Sequence, residues 1–465
     1  MKAPQSIPTP PKGLAILAMF GPGLVWCSDM IGSGEVILTT RNGAVFGIGV
    51  LWAILVGIFL KYWIGVAGAR YTVCTGEGMM DMFDRIPGPR HWVVWIVLVI
   101  QLLSGSIATS ALASASGVFL HELIPVSSSA AGWLVCIAAL SVVWSGGFTV
   151  LKAVMSALVA IIIIGVLYVA VTVFPSLSEL MKGASFSIPS VPDWAVSKAG
   201  FNANPWREIL PLMGWIAGGF ASQVWYTYWV MGEGFGMTHG RGYGKPADLA
   251  GLKAVDIPLA RKIKGWCRVV YVDAAIAMTI TTVVTIGFLI AGAGVLRPQQ
   301  LAPQGEQVAF TLSRLFSSKW GILGGKLFLI SGSAALISTL MVQLAGWPRL
   351  LADAFRICIP GFKKKLAWKQ QFRIFLVYFF FVNTIVVYLL GYRPVFLVKI
   401  GAVCDGLLLT PLQAVFIGLG LFMVMPKLFN KKAFAIIKPH WIFALFLFFA
   451  FLLFGYFCVF QIPFL

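Results

Sequence analysis

The chain has 465 residues, of which 59% are hydrophobic and 11% charged. A soluble domain usually carries roughly 25% charge; one water-soluble core could not hide this much apolar surface, so the composition points to a polytopic membrane protein solvated by lipid. The formal net charge of +19 does not argue for nucleic acid, because 24 of the 35 Lys and Arg fall in connections assigned to the cytoplasm, ten fall on the other side, and Lys61 falls at the inner end of a helix, which is the positive-inside asymmetry.

The segment Met1 to Lys12 is polar and Pro-rich, too polar for a cleaved signal, and reads as a cytoplasmic tail. A span needs about 20 apolar residues. Apolar runs follow near 14–38, 44–68, 92–120, 130–147, 150–174, 208–232, 268–294, 322–346, 372–391, 396–425 and 440–463. They predict eleven helices. The loops Gly240 to Arg268 and Arg349 to Arg373 are rich in Lys and Arg, and both are assigned to the cytoplasm. The N-terminus is then cytoplasmic and the C-terminus extracytoplasmic, with a bacterial inner membrane as the expected location. Pro175 to Arg207 is a long polar loop on the outer side. The seven Cys are scattered without a CxxC pair, and the four His are equally dispersed, so neither reads as a metal framework.

Two runs contain residues that a plain membrane anchor avoids. In the first, Asp29 and Glu35 flank Gly32, Ser33 and Gly34. A carboxylate at bilayer depth costs about 2.5–3.5 kcal/mol even on lenient scales, and each Gly weakens a helix by roughly 1 kcal/mol. In the sixth, Gly214, Gly218 and Gly219 precede Ala221, Ser222 and Gln223. Weak points five spans apart are the spacing of two inverted five-helix repeats with broken first helices, whose unwound backbone lines a substrate site. The expected organisation is a ten-helix core over 13–425, with repeats at about 13–174 and 208–425. A loop and an eleventh helix follow over 426–465.

The stretch Phe20 to Trp52 resembles the start of the Nramp family of divalent-metal transporters. The resemblance rests on Phe20-Gly21-Pro22-Gly23, Phe46-Gly47 and Leu51-Trp52, and further on Ala69-Arg70, Thr75-Gly76, Gly147 to Val154, Gly183 with Pro189, and Asp273 to Met278. It implies an all-α membrane protein of the LeuT type, with a metal held between broken helices 1 and 6. The chain departs where the family holds its metal. The family's Asp-Pro-Gly-Asn falls on Gly32-Ser33-Gly34-Glu35, its Met-Pro-His on Ala221-Ser222-Gln223, and its helix-10 Gln on Val403, two positions before Asp405. The third span carries no acid between Arg90 and His121. The chain is similar to a divergent branch such as the magnesium-transporting relatives.

Losing the thioether moves such a site towards oxygen ligands and hard cations such as Mg²⁺ or Mn²⁺. Glu35 is then the expected charged ligand, with Asp29 as a second acid and Ala221 leaving room for retained water. Backbone carbonyls near Gly32 and Gly218, with Ser33, Ser222, Gln223 and Asp405, are further candidates. The plainer readings are that Asp29 caps a helix end, Gln223 bonds between helices, Asp405 pairs with Lys399, and Asp273 pairs with an Arg of the preceding loop. The expected function is uptake of a divalent cation without proton coupling, with no cofactor beyond the transported ion. The main alternative is an organic substrate such as an amino acid or amine, suggested by the aromatic run Trp225 to Trp229 with Tyr226 beside the break. An enzyme is not expected, since HExxH and Walker-type loops are absent.

Overall fold

The computed structural model describes residues 7–145 and 148–464. Among them all regular structure is helical, and helix occupies each of the eleven apolar runs. A short turn over Gly13–Met19 bends by 53° into α1 (Pro22–Met30). The helix fails at Ile31, whose ψ is 74°, and resumes as a π-helical turn over Gly34–Thr39 that runs into α2 (Thr40–Phe46). Gly47, at φ 63°, turns the chain into α3 (Leu51–Thr75).

These boundaries correct the expected ones at 38 and 44. Arg41 and Asn42 look like loop residues but remain helical. Arg41 reaches a buried carboxylate on another span, and Asn42 Nδ2 donates to the Leu38 carbonyl at 2.9 Å. Lengthening the first span shifts the second along the chain. Lys61, expected at a helix end, therefore lies in the middle of α3 and is buried.

The following spans are α4 (Trp92–His121), α5 (Ser128–Ser145) and α6 (Phe148–Thr172). The expected division between the last two, and the start of the Gly147 to Val154 match, fall on residues outside the described ones. The long loop after α6 holds two short helices, Leu177–Ala184 and Asp193–Ala199. The sixth span is broken into α7 (Trp206–Trp215) and α8 (Phe220–Glu233).

Next comes α9 (Ile257–Ala291), which starts earlier than the expected 268. Asp256 caps it by accepting from Leu259 N–H at 2.8 Å, so Arg261, Lys262 and Lys264 sit on helix, not loop. The long α10 (Val308–Cys358) is kinked at Gly321, where φ is 62°. Then come α11 (Trp368–Leu390) and α12 (Pro394–Gly401), which continues through a π-helical segment, Ala402–Leu408, into α13 (Thr410–Leu419). The last span is α14 (Trp441–Phe460).

Among the described residues, seven helices are individually long and apolar enough to cross a membrane, or up to nine when each bent pair is counted as one span. The broken α1, α7 and α8 pack at the centre against α3, α9 and α10. The periphery is apolar. On α11, Phe381, Ile385, Tyr388 and Leu389 are exposed, and on α14 so are Phe448, Leu452, Val459 and Phe460. Exposed apolar faces of this extent belong against lipid. The chain is an integral, multi-pass membrane protein.

Candidate functional site

The break in the sixth span is the sharper of the two. At Ile216 ψ swings to 134°, Ala217 and Gly218 adopt φ of 55° and 74°, and helix restarts at Phe220. The left-handed conformation suits Gly218 but costs an alanine about 1–2 kcal/mol, so surrounding contacts must hold Ala217 there. A break also strands backbone groups where no water satisfies them. Here side chains do so. Lys61 Nζ donates to the carbonyls of Gly214, Ile216 and Gly218 at 2.6, 2.8 and 2.7 Å. Gln223 Nε2 donates to the Ala217 carbonyl at 3.1 Å.

On the other side of the break, the N-terminus of α8 presents free N–H groups. Asp405 Oδ1 accepts from Ala221 N–H at 3.3 Å and from Gln101 Nε2 at 2.8 Å. Gln101 in turn accepts from Trp347 Nε1 at 2.8 Å. A carboxylate at a helix N-terminus is favoured by the backbone dipoles. The π-helical segment after α12 delivers Asp405 there, and backbones meet closely enough that a Cβ on Gly406 would lie 1.8 Å from the Gly214 carbonyl oxygen.

From the first span, Asp29 Oδ2 accepts from Ser222 Oγ at 2.6 Å, and Ser222 accepts from Trp26 Nε1 at 3.1 Å. Asp29, Ser222 and Asp405 line one small cavity with Met30, Trp215, Gly218, Gly219, Trp225, Gln343 and Trp347. Its volume of about 10 Å³ is roughly the room of one water molecule. Gln343 lies against Asp29, yet neither Asp29 Oδ1 nor Gln343 Oε1 makes a well-formed hydrogen bond. Met30 lines the cavity, and its sulfur accepts from Thr281 Oγ1 at 3.6 Å.

The structure rearranges the expected site. Asp29, Ser222 and Asp405 come together; Glu35 does not line the cavity. Its carboxylate folds back on its own break, accepting from Gly32 N–H at 3.4 Å, with Oε1 buried and unpaired. Gly32 packs on Thr339, and Ser33 Oγ is buried without a partner. The Gly218 carbonyl is taken by Lys61, although the residue itself borders the cavity. Gln223 points its oxygen towards Gly65 of α3, and Ala221 contributes its N–H to Asp405. Among the described residues no three Asp, Glu, His or Cys side chains converge in a metal-binding group.

Tyr226 is structural. It stacks on Trp26 with ring centroids 4.2 Å apart and donates to Asp273 at 2.8 Å. Asp273 accepts from Gly21 N–H at 3.2 Å as well, and Lys399 pairs with Glu208 at 3.0 Å. The expected pairings of Asp273 with an Arg and of Asp405 with Lys399 are therefore both replaced. Sequence reasoning missed Lys61, Gln101 and Gln343, whose signal was a polar side chain inside an otherwise apolar run.

On one side of the cavity, towards the start of α7, lies a charged cluster in which Arg41 and Glu208 are buried and Lys399 is part-exposed. Arg41 of α2 pairs with Glu208 of α7 at 2.8 Å, and Lys399 of α12 joins it at 3.0 Å. On the opposite side lies a vestibule of about 330 Å³. It is lined by Pro22 and Val25, by Trp229 and Glu233, and by Val342 and Arg349. Helices α1, α8 and α10 thus border the vestibule and then the cavity at successive turns.

A family model described as "Natural resistance-associated macrophage protein-like", or Nramp, matches residues 23–203. That stretch contains the first break, and the motifs at Phe20 to Trp52 and Ala69 to Gly76 largely fall within it. Over that stretch the chain is similar to the Nramp family. The divalent metal cation transporter MntH of Pectobacterium carotovorum is 26% identical over 38% of this chain and 42% of its own length. The chain's matches span less than half the length of the curated relatives. A manganese transporter of Eremococcus coleocola superposes with a TM-score of 0.63 at 16% identity, over 97% of this chain and 90% of that one. MhsT in complex with L-phenylalanine superposes with a TM-score of 0.56 at 16% identity, over 97% and 98%. One neighbour is a manganese transporter and the other was solved with L-phenylalanine, and both share this fold, so the fold does not choose between an ion and an organic molecule.

The site makes one substitution decisive for its own geometry. A Cβ on Gly219 would lie 1.9 Å from Asp405 Oδ2, so Gly219→Ala must displace that carboxylate. It is expected to remove most transport while leaving the chain folded, checked by influx and thermal unfolding on the same preparation.

Proposed function

We propose that the chain is a secondary transporter of a hard divalent cation, Mg²⁺ or Mn²⁺, moved by its own gradient and the membrane potential. The observation that carries this reading is the small cavity with two carboxylates and two oxygen atoms that lack well-formed hydrogen bonds. Oxygen without a donor is the ligand set that hard cations take. Asp29 and Asp405 would supply charge, with Gln343 and Ser222 as neutral oxygen. Charge balance agrees. Asp29 and Asp405 act electrostatically on each other; with both ionised they carry two negative charges, which one divalent ion neutralises.

Mg²⁺ sheds water reluctantly, and the cavity has room for about one water-sized particle. A hydrated ion therefore collects first in the vestibule, and the cavity admits it as α1 and α8 part. The cation-rich loops support a vestibule on the cytoplasmic side, with the Arg41–Glu208–Lys399 cluster towards the outer side. An organic substrate is less well supported. Pockets for such ligands run to about 300–1,000 Å³, a size the vestibule reaches but the carboxylate cavity does not, and Tyr226 and Tyr228 are already bonded to Asp273 and Asp353. Proton coupling would need a chain of titratable groups, and α4 holds none at cavity depth.

The test is influx of Mg²⁺, Mn²⁺ and Ca²⁺ into proteoliposomes carrying a lumenal dye. Saturable influx is expected, faster with the lumen negative and without cation-dependent acidification. No influx of any divalent ion from folded protein would sink the reading.

A further inference from the structure

The mid-membrane lysine is placed as an ion would be. Lys61 is 1% exposed, and its ammonium meets three carbonyls of one half-helix end at 2.6–2.8 Å. An ammonium has three donors, and all three are used. The acceptors are the last carbonyls of α7 and the unwound backbone beyond it, where the half-helix dipole is negative. In folds built from broken helices, carbonyls of this kind coordinate the coupling cation. A lysine needed only for packing would have no reason to converge on them, and among the described residues no buried acid forms an ion pair with it.

We propose that the break in the sixth span is a monovalent-cation site that Lys61 fills permanently, a coupling ion built into the chain. Its charge never leaves the protein, so the transport cycle neither binds nor releases a second cation there, and transport does not depend on Na⁺ or K⁺. Shortening the side chain empties the site and exposes three carbonyls to a small cation. The inference rests on the backbone geometry of the break and not on the identity of the cargo.

The experiment uses the purified full chain as wild type, Lys61→Ala and Lys61→Met. Thermal unfolding is followed in rising NaCl, KCl, NH₄Cl and methylammonium chloride, with choline chloride holding ionic strength. The expected result is a saturable rise in Tm for Lys61→Ala with at least one small cation. Wild type, whose site is filled by charge, and Lys61→Met, whose site is filled by an apolar stem, should not respond. Lys61→Ala behaving as in choline with every cation would overturn the proposal, as would an equal response of all three proteins. If Lys61→Ala survives purification only in a small cation and unfolds on transfer to choline, the site is confirmed. If it is recovered in none while Lys61→Met is recovered, bulk and not charge is what the break requires, and the proposal fails. Because binding is read by unfolding, a failure here is distinct from a failure of divalent influx.

Discussion

Asp29→Asn and Asp405→Asn should each lower divalent influx by at least ~100-fold, whereas Glu35→Gln should keep most of it. Substituting outer partners of a metal site typically costs 10–100-fold in affinity or activity, so removing a direct charged ligand should exceed that range. Asp29 and Asp405 border the cavity from α1 and from the segment after α12. Asparagine preserves shape and one oxygen but removes the charge. Glu35 accepts one N–H across its own break, which a glutamine oxygen can do as well. Glu35→Ala, which leaves that N–H unpaired in a dry interior, should cost about 1–3 kcal/mol of stability. The measurement is initial influx against ion concentration, with Tm for each variant. Loss of transport in Glu35→Gln with retention in Asp29→Asn would return the ligand role to Glu35 and discard the cavity assignment.

Both breaks were legible because glycines and acids inside apolar runs are locally costly wherever the chain goes. Which acid faces the cavity was not legible, because that depends on helix rotation. Asp29 lies one helical turn before Gly32, where the family's aspartate falls, so its carboxylate can reach the same space from the preceding turn. Glu35 sits in a π-helical turn, whose extra residue rotates it off that face. Asp405 reaches the cavity through a similar insertion after α12. The depth of Lys61 was hidden for a longer-range reason. The register of α3 follows from where α2 ends, and α2 keeps Arg41 helical because of a pair with Glu208, 167 residues away. No local pattern around Lys61 contains that contact.

Glu208→Ala should be among the most damaging single changes in the chain, and replacing the whole cluster should be far less so for stability. Arg41 and Glu208 are each 5% exposed, and Lys399 shares the same carboxylate. Removing Glu208 leaves the buried Arg41 without its acid and beside the part-exposed Lys399, a loss of about 3–5 kcal/mol for a broken buried pair. Replacing buried ion pairs by apolar residues of similar volume is often neutral or stabilising. The triple variant Arg41→Met, Glu208→Met, Lys399→Met should therefore regain most of the Tm that Glu208→Ala loses. It should not regain transport. The three charges come from α2, α7 and α12, and the charged cluster can part because water solvates each member once that side opens. An apolar plug gains nothing from that water and holds this side shut. Thermal unfolding and influx measured on the same preparations separate the two effects; a triple variant that transports at the wild-type rate would show that the cluster braces the fold without gating it.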